Sequence, residues 1–259
     1  MASLSFPDQL GNIISLPEFP KRIISLVPSQ TELLADLGLH EKVVGITRYC
    51  VHPTRWQSEK TIVGGTKKVD ISVVRSLAPD LIIGNKEENE KSDIEQLQQE
   101  FPVWMSDIHN LDEALSMIKS LGEITNTHTV ASHICSSISK EFQTLSKATG
   151  KSVLYLIWRN PWMAAGRHTF IDDMLSRSGL TNVLGEGRYP MLTKEDLTSL
   201  SPDYVFLSTE PYPFREKHIS EVQPFFHGAS IRIVDGEMFS WYGSRLVQAP
   251  AYFKTLALV

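Results

Sequence analysis

The chain has 259 residues, 42% hydrophobic and 21% charged, with a formal net charge of -5 at pH 7. That length buries one large core or two modest ones. The basic runs are no longer than pairs such as Lys67-Lys68, which argues against nucleic acid as a partner, because phosphate binding needs a concentrated basic face. No apolar stretch reaches the length of a bilayer span, so a membrane-spanning segment is not expected. The opening residues lack the basic start and apolar run of a secretory signal, which leaves a cytoplasmic placement open. Cys50 and Cys135 are the only cysteines and read as two free thiols.

In chain order, residues 22–27 form an apolar run that reads as a buried strand and stops at Pro28. Ser29 followed by Glu32 has the spacing of a capping box, which predicts a helix from Ser29 to a stop at Gly38. Residues 43–47 read as the next strand. Asp70 is placed to cap a helix ending near Leu77, with a strand over 81–83 after it. Ile94, Leu97 and Phe101 mark a further helix, followed by a strand over 103–105. Leu111, Leu115, Ile118 and Leu121 have helical spacing over 111–124. A longer helix is predicted through Val130, Ile134, Ile138, Phe142 and Leu145, capped by Asn126 or Thr127 and ended by Gly150. About 20 residues at 1.5 Å each make a rod of roughly 30 Å, enough to bridge two small lobes. The plainer alternative is one more helix packed on a single sheet.

The second half repeats the plan. Residues 152–158 are a strongly apolar strand, then a loop with Pro161 and Gly166, then a helix over 170–178 capped by Thr169, with Asp172 at the box position and Gly179 at the stop. Leu77-Ala-Pro-Asp-Leu-Ile-Ile83 recurs as Leu200-Ser-Pro-Asp-Tyr-Val-Phe206, each phrase lying between a short helix and an apolar strand. The proline blocks helix continuation, so the phrase is a helix-to-strand junction in two similar lobes. The expected organisation is an N-terminal α/β lobe over 1–124, a connecting backbone helix over 125–150, and a C-terminal α/β lobe over 151–259.

The phrase Arg22-Ile-Ile-Ser-Leu-Val-Pro-Ser-Gln-Thr-Glu-Leu-Leu34, Gly64-Gly-Thr66, the first Pro-Asp junction, residues 166–182 and residues 195–203 together resemble the periplasmic binding proteins for cobalamin, haem and ferric siderophores. The resemblance runs from about Asp8 to Phe253. It implies an α/β fold with two similar Rossmann-like lobes, joined by a long rigid backbone helix, with a ligand cleft between the lobes. It further implies a substrate-binding component that hands a metal chelate to an ABC transporter permease, from a periplasmic or other extracytoplasmic location. No intrinsic cofactor and no catalysis are implied; the chelate is cargo. The alternatives are a cytosolic carrier or sensor of a metal chelate and a chelatase-like enzyme. No Walker-type loop, Gly-x-Gly-x-x-Gly turn, Gly-x-Ser-x-Gly elbow or His-Glu-x-x-His pair is present.

Ligands of open α/β lobes sit beyond the carboxyl ends of the strands. The loops there place Tyr49, Trp162, Tyr189 and Trp241, with Tyr242 beside it, where exposed rings suit a large planar or macrocyclic ligand. Arg245 adds a guanidinium, and Asn85 and Lys86 a polar rim, although solvated charge is an equally simple role for Lys86. By resemblance, Tyr49 matches the family's aromatic contact in the first lobe. Tyr189 falls near the aromatic that precedes a second-lobe helix, and Trp162 with Met163 lies at an apolar contact. Thr66 and Asn85 stand where the cobalamin proteins carry tryptophans.

Cys50 and His52 are potential metal ligands that could reach an open face of a chelated metal; the plain reading is a half-buried thiol and a surface imidazole. His168 beside a helix start reads as a cap or an exposed side chain. For permease docking, the resemblance points to one carboxylate per lobe. Glu195 serves in the second, while Ser72 stands at the first-lobe position, with Asp70 two residues away as its substitute. Complementing helix dipoles would account for both acids as well.

Overall fold

The computed structural model describes residues 3–145, 149–185 and 187–256. The chain divides into two compact units, the first comprising Met1–Ile108, Asp112–Ile138 and Tyr242–Arg245, the second His109–Leu111, Ser139–Trp241 and Leu246–Val259.

The first unit opens on an antiparallel hairpin, β1 (Leu4–Pro7) and β2 (Ile13–Leu16), which the sequence reading did not anticipate. Buried Asp8 closes its turn by accepting from the backbone N–H of Leu10 at 2.9 Å and of Asn12 at 2.7 Å. The chain continues through β3 (Ile23–Ser25), α1 (Pro28–Asp36), β4 (Val43–Ile46), α2 (Trp56–Glu59), β5 (Thr61–Ile62), β6 (Gly64–Gly65) and β7 (Lys68–Val69). Then come α3 (Ile71–Leu77), β8 (Leu81–Asn85), α4 (Lys91–Gln98), β9 (Val103–Ser106), α5 (Leu111–Ile124) and α6 (His128–Phe142). Five parallel strands form one sheet in the order β5-β4-β3-β8-β9. Counted in chain order this is 3-2-1-4-5, the doubly wound arrangement, with its switch point between β3 and β8. Both β3 and β8 are buried throughout, which is why they read as unbroken apolar runs.

The second unit contains β10 (Lys151–Trp158), β11 (Trp162–Ala164), α7 (Phe170–Arg177), β12 (Leu180–Asn182), β13 (Met191–Leu192), α8 (Lys194–Ser199) and β14 (Tyr204–Ser208). It ends with α9 (Lys217–Val222), β15 (Ser230–Val234), α10 (Glu237–Ser240) and α11 (Ala249–Thr255). Its sheet runs β13-β11-β10-β14-β15, with β12 pairing the start of β10; β10, β12, β14 and β15 are parallel, while β11 and β13 are antiparallel additions. The α/β class expected from the sequence holds in both units.

The recurring Pro-Asp phrase has one physical role in each. Asp80 Oδ2 and Oδ1 accept from the N–H groups of Lys21 and Arg22 at 2.7 and 2.8 Å, at the entry to β3. Asp203 Oδ2 accepts from Ser152 N at 2.8 Å, at the entry to β10. The aspartate after each helix thus ties one strand start to its neighbour.

Several local expectations change. Ser29 does not cap α1: the N-cap is Val27 with no side-chain bond, Pro28 takes the first helical position, and Glu32 is committed elsewhere. The capping box of the second unit lies at Thr193 and Asp196 of α8, whereas Thr169 caps α7 through Asp172 N alone. Asp70 caps α3 as expected, accepting from Ser72 N and Val73 N. The long helix is shorter than predicted: α6 has 15 residues, or roughly 22 Å. The expected run to Gly150 crosses residues 146–148, which lie outside the described residues. Among the described residues no helix is long and apolar enough to cross a membrane.

Candidate functional site

In the first unit the carboxyl ends of β3, β4, β8 and β9 carry a buried polar layer. Ser106 Oγ accepts from Gln30 Nε2 at 2.6 Å and from Asn85 Nδ2 at 3.0 Å. Asn85 Oδ1 accepts from the N–H groups of Glu87 and Glu88 at 2.8 and 3.1 Å, and Asn89 Nδ2 reaches Leu26 O and Thr66 O. Asn85 is buried rather than on an open polar rim, and its amide shapes the loop after β8. Lys86 is exposed at that loop and pairs with Asp107 at 2.6 Å.

The loop after β4 presents Tyr49, 57% exposed, with its ring over Gly65: a Cβ added there would lie 3.1 Å from Tyr49 Cε2. Glycine in β6 therefore makes room for the ring. His52 is half-buried. Cys50 is less accessible than the half-buried thiol expected from the sequence. The Cys50 thiol is fully buried, with Sγ 3.0 Å from Thr31 Oγ1 and 3.2 Å from Thr47 Oγ1. Burial pushes its pKa up, which opposes the thiolate a metal or ligand would need. Among the described residues no group of three or more His, Cys, Asp or Glu side chains is arranged to hold a metal ion.

The strap Tyr242–Arg245 also belongs to the first unit. It sits at the switch point, between the start of α1 and the loop after β8. The Tyr242 hydroxyl donates to Glu88 Oε1 at 2.5 Å, and Arg245 Nε and Nη2 donate to the two Glu32 oxygens at 2.9 and 2.6 Å. Gly243 lies so close to Ser29 that a Cβ would meet its carbonyl oxygen at 2.4 Å. Burial raises the pKa of Glu32, with the Arg245 hydrogen bond and charge pulling the other way. The Tyr242 phenol is likewise raised, by burial and then by Glu88.

In the second unit Trp162 and Met163 lie on strand β11, not on an exposed loop, and both are half-buried. Trp162 stacks on Phe214, ring centroids 6.3 Å apart and planes 4° from parallel, and packs against the core of the second unit. Tyr189 is exposed at 36%, before β13. Trp241 and Tyr242 are only 6% exposed, which corrects their placement on an open loop. Glu210, after β14, accepts from Ser240 Oγ at 2.6 Å, and burial raises its pKa. His168 is exposed with φ +63° immediately before the Thr169 cap. Asp70 and Glu195 are both exposed. The Ser72 hydroxyl donates to Asp70 Oδ1 at 2.6 Å, and that bond, joined by backbone N–H groups, lowers the Asp70 pKa.

The sequence reading missed Glu32, Glu88 and Glu210 as partners of the 240–245 segment. The only signal was a small, close-packing glycine amid Trp241, Tyr242 and Arg245.

A family model described as "periplasmic binding protein" matches residues 23–228. The chain belongs to that family. This family member is 26% identical over 215 residues to the ABC transporter substrate-binding lipoprotein YvrC of Bacillus subtilis, covering 78% of the chain and 68% of the relative. It is 23% identical over 209 residues to a vitamin B12-binding protein of Yersinia pestis, covering 77% and 74%. Among solved structures, a periplasmic haem-binding protein from Pseudomonas aeruginosa superposes with a TM-score of 0.78 at 22% identity, over 92% of each chain. The periplasmic vitamin B12-binding protein of Vibrio cholerae gives 0.75 at 20% identity, over 92% of this chain and 98% of that one. These structural likenesses speak for the fold.

Proposed function

We propose that this periplasmic binding protein is the substrate-binding component of an ABC transporter, and that it captures a metal chelate reversibly. The observation that carries the reading is the family match over residues 23–228, supported by relatives named for vitamin B12 and haem. Capture needs no bond making. An aromatic face supplies dispersion and apolar contact, and polar groups at its rim set orientation. In the first unit Tyr49 offers the face, with His52 and Lys86 as polar neighbours in sequence loops beyond the strand ends. In the second, Tyr189 offers another, with the half-buried Trp162 and Met163 behind it in the strand. Asp70 and Glu195 are the carboxylates proposed to meet a permease, each on a helix start and open to solvent. The extracytoplasmic setting follows from the same reading.

Isothermal titration with cyanocobalamin, hemin and a panel of ferric siderophores tests it. Saturable one-to-one binding of one chelate, weakened about three- to tenfold by Tyr49→Ala, is the expected result. Binding of none, by a protein whose thermal transition is intact, overturns the reading.

A further inference from the structure

Alternation along the antiparallel strands of the second unit sorts their side chains by face. Trp162 and Leu192 stand opposite each other in β11 and β13, and both pack against the core. The neighbouring pair, Met163 and Met191, therefore stands on the other face. A register shift in β10 between Leu156 and Trp158 brings Trp158 opposite Met163, so the row continues across a third strand. Pro190 O accepts from Ala164 N and Arg188 O from Gly166 N, which carries the pairing back beyond the start of β13. Tyr189, held extended by the proline after it, then shares the face of Met191 two residues on. The row is open to solvent: Trp158 is 38% exposed, Tyr189 36% and Met191 69%. These are three of the ten large apolar side chains exposed among the described residues, and they gather on one face. We infer that Trp158 and Met191 complete, with Tyr189 and Met163, a single apolar platform that takes the flat face of the cargo.

The inference rests on the function proposed above and narrows its cargo. The row lies at the carboxyl end of β10, where open α/β sheets place their ligands. Three strands about 4.8 Å apart make the platform roughly 10 Å wide, and the step from Tyr189 to Met191 makes it roughly 7 Å deep. That is the scale of one tetrapyrrole ring. It is too small for a protein partner: side chains of about 150–250 Å² at these exposures offer on the order of 300 Å², against about 800 Å² per partner in a stable protein interface. The Trp158 ring meets Tyr212 edge-on at 5.6 Å, which orients it before any ligand arrives. The two thioethers are polarizable and conform to the edge or face of a delocalised ring. An open-chain siderophore wraps its metal in polar oxygens, and covering those with Trp158 and two methionines costs their hydration without supplying a hydrogen bond. The platform therefore selects a macrocyclic chelate with a flat, delocalised ring over an open-chain one.

Isothermal titration of the full chain with hemin, cyanocobalamin and a ferric trihydroxamate tests the platform. One of the two macrocycles is expected to bind at least tenfold more tightly than the trihydroxamate. Trp158→Ala and Met191→Ser should each weaken that binding about three- to tenfold with thermal transitions unchanged, while Trp158→Phe and Met191→Leu keep most of it. Ile13→Ser is the control, since Ile13 is 64% exposed on the hairpin of the first unit and its loss should leave affinity unchanged. Tighter binding of the trihydroxamate overturns the inference, as does an Ile13→Ser loss equal to that of Met191→Ser. Macrocycle binding that survives in the Trp158→Ala, Met191→Ser double variant overturns the platform alone. A wild-type protein that binds none of the three overturns the function proposed above and the platform's cargo with it. Should Trp158→Ala not fold, Met191→Ser decides, because its side chain is the most exposed of the row. Sedimentation velocity without ligand covers the remaining occupant: a dimer abolished by Met191→Ser assigns the face to a second copy and overturns the inference.

Discussion

Gly243→Ala is expected to lower stability by an amount the local geometry sets. The new Cβ would stand 2.4 Å from the Ser29 carbonyl oxygen, 3.2 Å from its carbon and 3.4 Å from Leu33 Cβ. The first two are backbone atoms in the opening turn of α1, so no rotamer change relieves the clash. Either the strap or the helix start must shift, against the Arg245–Glu32 and Tyr242–Glu88 contacts. Overpacking of this kind costs about 1–3 kcal/mol. Restricting the unfolded chain by the added methyl returns about 0.4–1 kcal/mol. The net loss is then on the order of 1–2 kcal/mol, or a fall in Tm of roughly 2–8 °C for a chain of this size. Gly185→Ala is the matched control, since a Cβ there meets nothing within 4 Å. Thermal unfolding followed by circular dichroism compares the three proteins. A Gly243→Ala Tm equal to or above that of Gly185→Ala would refute the close approach on which the strap's placement rests.

Thr169→Ala removes the only side-chain cap of α7 and is expected to cost about 1 kcal/mol in urea unfolding, while Thr169→Ser retains most of it. Asn85→Ala strips the acceptor from Glu87 N and Glu88 N and a donor from Ser106, so a loss of about 1–3 kcal/mol is expected, with faster amide exchange over 86–89. Both cysteines are buried with raised thiol pKa values, so Ellman's reagent at pH 8 should label neither at an appreciable rate in the native protein and both in denaturant. The Ser152 N–H and hydroxyl, with Lys151, hold the Asp203 carboxyl below its ordinary 3.8. Its contribution is present above that value and fades as pH falls toward the lowered one, so Asp203→Asn should flatten the acid limb of the Tm–pH curve below about pH 4.

The longer parallel strands were legible because burial writes them as continuous apolar runs, as in 81–83 and 152–158, whereas the short β5 and β12 were not. The Pro-Asp repeat was legible too, and its cause is now visible in the strand-start bonds of Asp80 and Asp203. The first hairpin was not, because its strands of four residues alternate exposed with partly or fully buried positions and carry no long run. Trp162 read as a loop residue because Pro161 precedes it, yet the antiparallel pairing to β10 and the Phe214 ring draw it into the sheet. At the candidate site, exposure followed local sequence for Tyr49 and Tyr189. It failed for Cys50, Trp241 and Tyr242, whose burial is set by partners distant in sequence. Glu32 and Arg245 are 213 positions apart, and neither periodicity nor spacing can pair residues across that interval. The Ser29–Glu32 spacing even suggested a different use for the acid, because local pattern cannot weigh a distant guanidinium against a nearby N–H.

The late position of the strap has a consequence for how the chain is made. Ribosomes emit about 5–20 residues per second. Between Ile138 and Tyr242 lie 103 residues, so the first unit waits roughly 5–20 s after its last contiguous residue for its final piece. Throughout that interval Glu32 stands at the start of α1 without Arg245, and the opening it faces stays unfilled. A nascent first unit is therefore a different object from the finished one, and the strap is the last stitch that vectorial synthesis supplies.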